Sequence, residues 1–122
     1  PDLAKTIEEH VMAWPNVVGV SAAIASYADR AFIRFSREKI MQGRRMVVET
    51  FRRNGIEPLP SQTNFVYADI GRNASEFQEK MAERGILIRG SFPLYPNYSR
   101  VSMGRLEELE IFDRVFTEIY NA

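Results

Sequence analysis

The stretch Ser99–Phe112, SRVSMGRLEELEIF, changes periodicity halfway along, and that change decides how the chain is read. From Arg100 to Met103 polar and apolar residues alternate, so Val101 and Met103 share one face of a strand while Arg100 and Ser102 share the other. Gly104 ends the run. From Arg105 to Tyr120 a helical stripe takes over, with Leu109, Phe112, Val115, Phe116 and Ile119 on one side and early glutamates at the positive end of the helix. If helices cover Val101, Arg100 faces away from the core. A guanidinium placed there either reaches solvent or grips a carboxylate or phosphate through its planar fork.

The segments upstream repeat the pattern. ILIRG (86–90) reads as a short strand with Ile86 and Ile88 on one face and Leu87 and Arg89 on the other, Arg89 lying at its end before Gly90. Arg89 and Arg100 are either two unrelated surface charges or the two jaws of one anion clamp. The loop between these strands, SFPLYPNY, carries two prolines and three aromatics. Phe92, Tyr95 and Tyr98 either line a pocket mouth or pack the loop down. NASEFQEKMAERG (73–85) is a helix with Phe77 and Met81 on one face and Gly85 as its terminator. A further strand runs from about Asn64 to Ile70, bounded by Gly71. Asn64 opens it, where an asparagine serves turn chemistry or contacts a ligand. The order strand, helix, strand, strand, helix predicts an α+β fold: a small, mostly antiparallel sheet with helices on one face.

Three helices precede this layer. PDLAKTIEEHVMAW starts with Pro1 and Asp2, repeats Leu3, Ile7, Val11 and Trp14 at helical spacing, and stops at Pro15. The next, with Asn16 as cap, is almost uncharged, and Val17, Val20, Ala23, Ile24 and Tyr27 give it a broad apolar surface that a chain this short does not cover. Exposing four such side chains forgoes about 6–12 kcal/mol of burial, so self-association or disorder is expected at the front. A long amphipathic helix follows, roughly Asp29 to Asn54, with Ile33, Ile40, Met41, Val47, Val48 and Phe51 as its stripe. Gly43 inside it marks a bend or close packing, and Gly55 stops it.

Bulk composition narrows the function classes. The chain has 122 residues, 45% of them hydrophobic, which suits one ordinary domain with a real core. Sixteen basic and sixteen acidic residues cancel, so no net field favours nucleic acid or an anionic membrane. The arginines of the long helix are interleaved with Asp29, Glu38 and Glu49 and lack clustered aromatic platforms, as a solvated face does. Without cysteine there is neither a disulfide framework nor a thiolate zinc site, which is compatible with a cytoplasmic location. His10 is the sole histidine and no nucleophile motif accompanies it. No metal-ligand spacing and no glycine-rich phosphate loop occurs.

Three segments in order, PSQTNFVYADIG, RGILIRG and SRVSMGRLEELEIF, resemble the C-terminal part of pyridoxal-phosphate-dependent aminotransferases of fold type I, with the greatest likeness to the histidinol-phosphate aminotransferase group. The resemblance runs through essentially the whole chain. It implies that residues 1–28 are the tail of that family's large cofactor-binding domain and residues 29–122 its small C-terminal domain with a connector helix. It places the grip on the substrate's carboxylate or phosphate on Arg100, a second phosphate-side contact on Arg89, and a substrate-side position on Asn64. Gly104 matches the family glycine after the arginine strand, whereas Arg105 stands where many relatives have threonine. The family's cofactor lysine sits in a motif like SK-x-x-GLAGLR, a context that Lys5, Lys39 and Lys80 all lack. No covalently bound cofactor is therefore expected in this chain. The resemblance further implies a missing large domain, an amino acid or amino phosphate as partner, and a homodimer when intact. A non-enzymatic α+β module that binds a small anion or a partner is the alternative.

Overall fold

The computed structural model describes residues 2–10 and 16–122. Helices α1 (Asp2–His10), α2 (Val17–Ala28) and α3 (Arg30–Arg53) come first. The expected contributions of Pro1, Val11, Trp14 and Pro15 to the first helix lie outside the described residues. The chain divides into two compact units, residues 1–34 and Phe35–Ala122.

In the first unit, α1 carries a Lys5–Glu9 ion pair at 3.9 Å, and the His10 Nδ1–H donates to the Thr6 carbonyl at 2.7 Å. Asn16 caps α2, its Oδ1 accepting the Gly19 N–H at 2.9 Å, so one orphan donor of the first turn is satisfied. The apolar surface expected of α2 is open: Val18 is 80% exposed and Ile24 67%. Among the described residues, no helix is long and apolar enough to cross a membrane.

The second unit holds the core. Strands β1 (Phe65–Asp69) and β2 (Tyr98–Ser102) pair antiparallel, Val66 opposite Val101 and Tyr67 opposite Arg100. Helices α4 (Ala74–Glu83) and α5 (Leu106–Tyr120) cover one face of this ribbon. Val66, Ala68 and Val101 point into that layer, against Phe77 and Met81 of α4, Leu109, Phe112, Val115 and Phe116 of α5, and Val47 and Phe51 of α3. Phe116 is fully buried at the centre, with Phe51, Phe77 and Phe112 ring centroids at 5.2, 5.1 and 5.4 Å.

Both helix stops use the same device. Gly55 and Gly85 have φ of 75° and 77°, a left-handed conformation open to glycine without strain. After α3 the Gly55 and Ile56 amides donate to the Arg52 and Phe51 carbonyls. After α4 those of Gly85 and Ile86 donate to Ala82 and Met81. These are Schellman closures, and each folds the following isoleucine back onto the core. Gly43 marks close packing: a Cβ there would stand 2.8 Å from a methyl of Leu109. Thr50, outside the expected stripe, is buried because its hydroxyl donates to Asp113 at 2.5 Å, and Arg53 pairs with the same carboxylate. Met41, inside the expected stripe, is exposed.

The fold class is α+β, with one departure from the expected sheet. ILIRG is not a strand but a single antiparallel bridge, Arg89 to Arg100. The Ile86 amide is already committed to the helix closure, and Gly90 lies so close to α4 that a Cβ would stand 3.1 Å from the Ala74 carbonyl oxygen. Of the three residues between these two anchors, Arg89 alone pairs with β2.

Candidate functional site

The face of the ribbon away from α4 and α5 carries the site. Alternation along β2 turns Ser99 and Val101 inward and leaves Tyr98 and Arg100 partly buried on the outer face. Alternation along β1 does the same for Phe65 and Tyr67. Register then aligns the row. Arg100 lies opposite Tyr67 on one side and Arg89 on the other, and opposed residues of an antiparallel pair share a face. Arg89 and Arg100 exchange both backbone hydrogen bonds, at 3.0 and 3.1 Å. Two arginines distant in the chain's local pattern are thus direct cross-strand partners on one open face.

Aromatic rings border them. The Arg100 guanidinium lies 5.3 Å from the Phe65 ring and that of Arg89 5.4 Å from Phe92, within cation–π range. Tyr67 packs edge-on against Phe92 at 5.3 Å and tilts against Tyr98 at 4.9 Å, and Tyr98 meets Tyr95 at 5.5 Å. Burial pushes the Tyr67 phenol's pKa up, with Tyr95 and Tyr98 acting in the same direction, so at neutral pH it is an uncharged O–H. A cleft of ≈ 510 Å³ opens here, walled by Phe65, Tyr67, Phe92, Pro93, Leu94 and Tyr95, with Arg100 as its one charged residue.

No carboxylate lines this cleft. Among the described residues the arginines held in ion pairs are Arg52, Arg53, Arg84 and Arg105, and neither Arg89 nor Arg100 is one of them. The Arg100 Nε is buried and has no hydrogen-bond partner. Leaving a buried donor unsatisfied costs about 1–3 kcal/mol, more when the group is charged.

Asn64 is placed differently. It is exposed in the bend before β1, where its carbonyl accepts from the Met103 N–H at 2.8 Å. It lies three residues from Tyr67, about 10 Å along the strand, so the backbone does not bring it to the arginine pair. Of the other expected residues, Phe92 and Tyr95 line the cleft, and Tyr98 packs behind them. Phe65 and Tyr67 were not singled out from sequence. Their signal was present, since aromatics at i and i+2 fall on the same face as Arg100's partner position.

Beside the site, Arg105 precedes α5 and is closed by Glu108. The Glu108 carboxylate accepts from the Arg105 N–H at 3.0 Å and from its guanidinium at 3.0 and 2.8 Å. This pairing holds the Glu108 carboxyl below its usual range. The glutamate thereby satisfies the Arg105 N–H, one half of a capping box, while the arginine side chain, which has no acceptor, does not supply the other half that a threonine hydroxyl would. None of the lysines borders the cleft: Lys5 is on α1, Lys39 on α3 near Phe35, and Lys80 on α4. Among the described residues, no group of three or more histidine, cysteine or acidic side chains could hold a metal.

An arginine-bearing sheet face of this kind, on this α+β layer, defines a class. The chain belongs to the class I and II aminotransferase family, whose model matches residues 4–115. Among curated proteins it is 34% identical over 99 residues to histidinol-phosphate aminotransferase 2 of Methylococcus capsulatus, covering 80% of this chain and 26% of that protein. It is 37% identical over 107 residues to the histidinol-phosphate aminotransferase of a Geobacillus strain, covering 84% and 28%. Among solved structures, the histidinol-phosphate aminotransferase of Sinorhizobium meliloti in complex with pyridoxal-5'-phosphate superposes with a TM-score of 0.72 at 30% identity, over 85% of this chain and 30% of that one. The chain therefore spans about a quarter of the length of the curated relatives it matches.

Proposed function

We propose that this chain is the substrate-gripping C-terminal part of a pyridoxal-phosphate-dependent aminotransferase of the histidinol-phosphate group. The whole enzyme moves an amino group between an amino acid or amino phosphate and a 2-oxo acid. Residues 1–28 form the end of its large domain, and residues 29–122 its small domain. The buried, partnerless Nε of Arg100 carries this reading. A guanidinium kept short of its hydrogen bonds beside an aromatic cleft is offset when an anion arrives, and a carboxylate or phosphate accepts from it in bidentate fashion. Arg89, paired in register, adds the second charge that a phosphate uses. The rings beside Arg100 lower the local dielectric and strengthen the attraction.

Pyridoxal phosphate supplies the electron sink on which such an amino transfer runs. The residues of this chain do not fit it, because the cleft has no lysine to hold it, and its seat belongs to the large domain. The assembled enzyme works as a homodimer in the cytoplasm, with no nucleic-acid or membrane partner. Supplied alone with pyridoxal phosphate, an amino donor and a 2-oxo acid, the 122-residue chain is expected to yield no amino product by chromatographic assay. Sustained turnover by the purified chain would overturn the division of labour proposed here.

A further inference from the structure

The structure assigns to Ser99 the role of a positioning residue that holds Arg89 beside Arg100. This rests on the proposal that the two arginines grip one anion. Ser99 is fully buried on the helix-facing side of β2, so it touches no ligand in the cleft on the other face. Its hydroxyl donates to the Arg89 carbonyl at 2.8 Å. That carbonyl also accepts the Arg100 N–H at 3.1 Å, and its two lone pairs serve both donors.

The bond matters because the segment bearing Arg89 is tied to β2 by few hydrogen bonds. It meets β2 at one bridge and not along a ladder. Before the bridge, Ile86 is tied to the end of α4, and Leu87 is 86% exposed. After it, the Ser91 hydroxyl meets that of Ser75 at 2.6 Å, which again ties the segment to α4 and not to β2. Ile88, buried in the core, seats the segment, and three hydrogen bonds then set Arg89 against Arg100, of which Ser99 supplies the one made by a side chain. Ser99→Ala removes that bond without orphaning a polar group, since the Arg89 carbonyl keeps the Arg100 N–H. The chain is expected to fold, with Arg89 free to drift from its partner.

The test is a double-mutant cycle on the 122-residue chain, with phenyl phosphate as probe and NMR titration as readout. Arg89→Ala weakens binding about tenfold or more. Ser99→Ala weakens it about threefold to tenfold with Arg89 present, and leaves it unchanged in the Arg89→Ala background. Urea unfolding of each variant separates this coupling from general loss of stability. Should Ser99→Ala fold poorly, Ser99→Cys keeps the packing, donates weakly and gives the same pattern. Equal losses from Ser99→Ala in both backgrounds, or none in either while Arg89→Ala still weakens binding, would overturn the positioning role and leave the site intact. An Arg89→Ala variant that binds like the parent would overturn the clamp and the Ser99 role together.

Discussion

Arg100→Gln is expected to weaken phenyl phosphate binding by about tenfold to a hundredfold, the size of a lost charge-assisted hydrogen-bond pair. Glutamine keeps a donor and much of the side-chain length but neither the charge nor the fork. Arg100→Lys is expected to restore only part of the affinity, because an ammonium is a point charge and does not reproduce two parallel N–H donors. Stability should hardly change in either variant. Arg100 lies on the outer face of β2, makes no ion pair, and leaves one nitrogen without a partner. In a complete aminotransferase carrying this sequence, the same substitution should lower kcat/KM by a comparable factor, since the grip that orients the substrate is retained through the transition state. Undiminished affinity in Arg100→Gln would show that the outer face binds no anion through this residue.

The second large effect concerns the core. Phe116→Ala should cost about 3–5 kcal/mol, a large share of the ~5–15 kcal/mol that stabilises a typical domain. Phe116 is wholly buried and touches rings from α3, α4 and its own helix, with Tyr120 stacked at 5.5 Å. Removing it empties the point where three helices meet, and the rings around it belong to different elements that cannot all close inward. Urea unfolding followed by circular dichroism should show the midpoint collapse or the cooperative transition vanish. A midpoint within about 1 kcal/mol of the parent would place the centre of the core elsewhere.

Much of this fold is legible in the sequence because its signals are local. The stripe Leu109, Phe112, Val115, Phe116 in α5 needs only helical period, and Asn54-Gly55 and Arg84-Gly85 announce their helix stops through a residue type that tolerates positive φ. The outward direction of Arg100 follows from alternation alone. What escapes a local reading depends on partners distant in the chain. ILIRG has strand composition, yet its first amide is taken by the helix before it and its last residue is pressed against α4, so only Arg89 pairs. The alignment of Arg89 with Arg100 is a matter of register across the aromatic loop, which composition does not specify. Thr50 looks like a surface residue of α3 until Asp113 arrives from α5. Phe65 and Tyr67 pass for core because strand aromatics usually are core, whereas here they lie on the face of the ribbon away from α4 and α5.

The most direct measurement observes the side chain at the centre of the account. A 15N-labelled 122-residue chain titrated with phenyl phosphate reports each arginine Nε–H as a separate signal. The Arg100 Nε–H signal is expected to shift as the anion binds its guanidinium, together with shifts at Arg89, Phe65 and Tyr67. Shifts confined to Lys39 and Arg105, or an Arg100 signal that stays put at saturating probe, would contradict it.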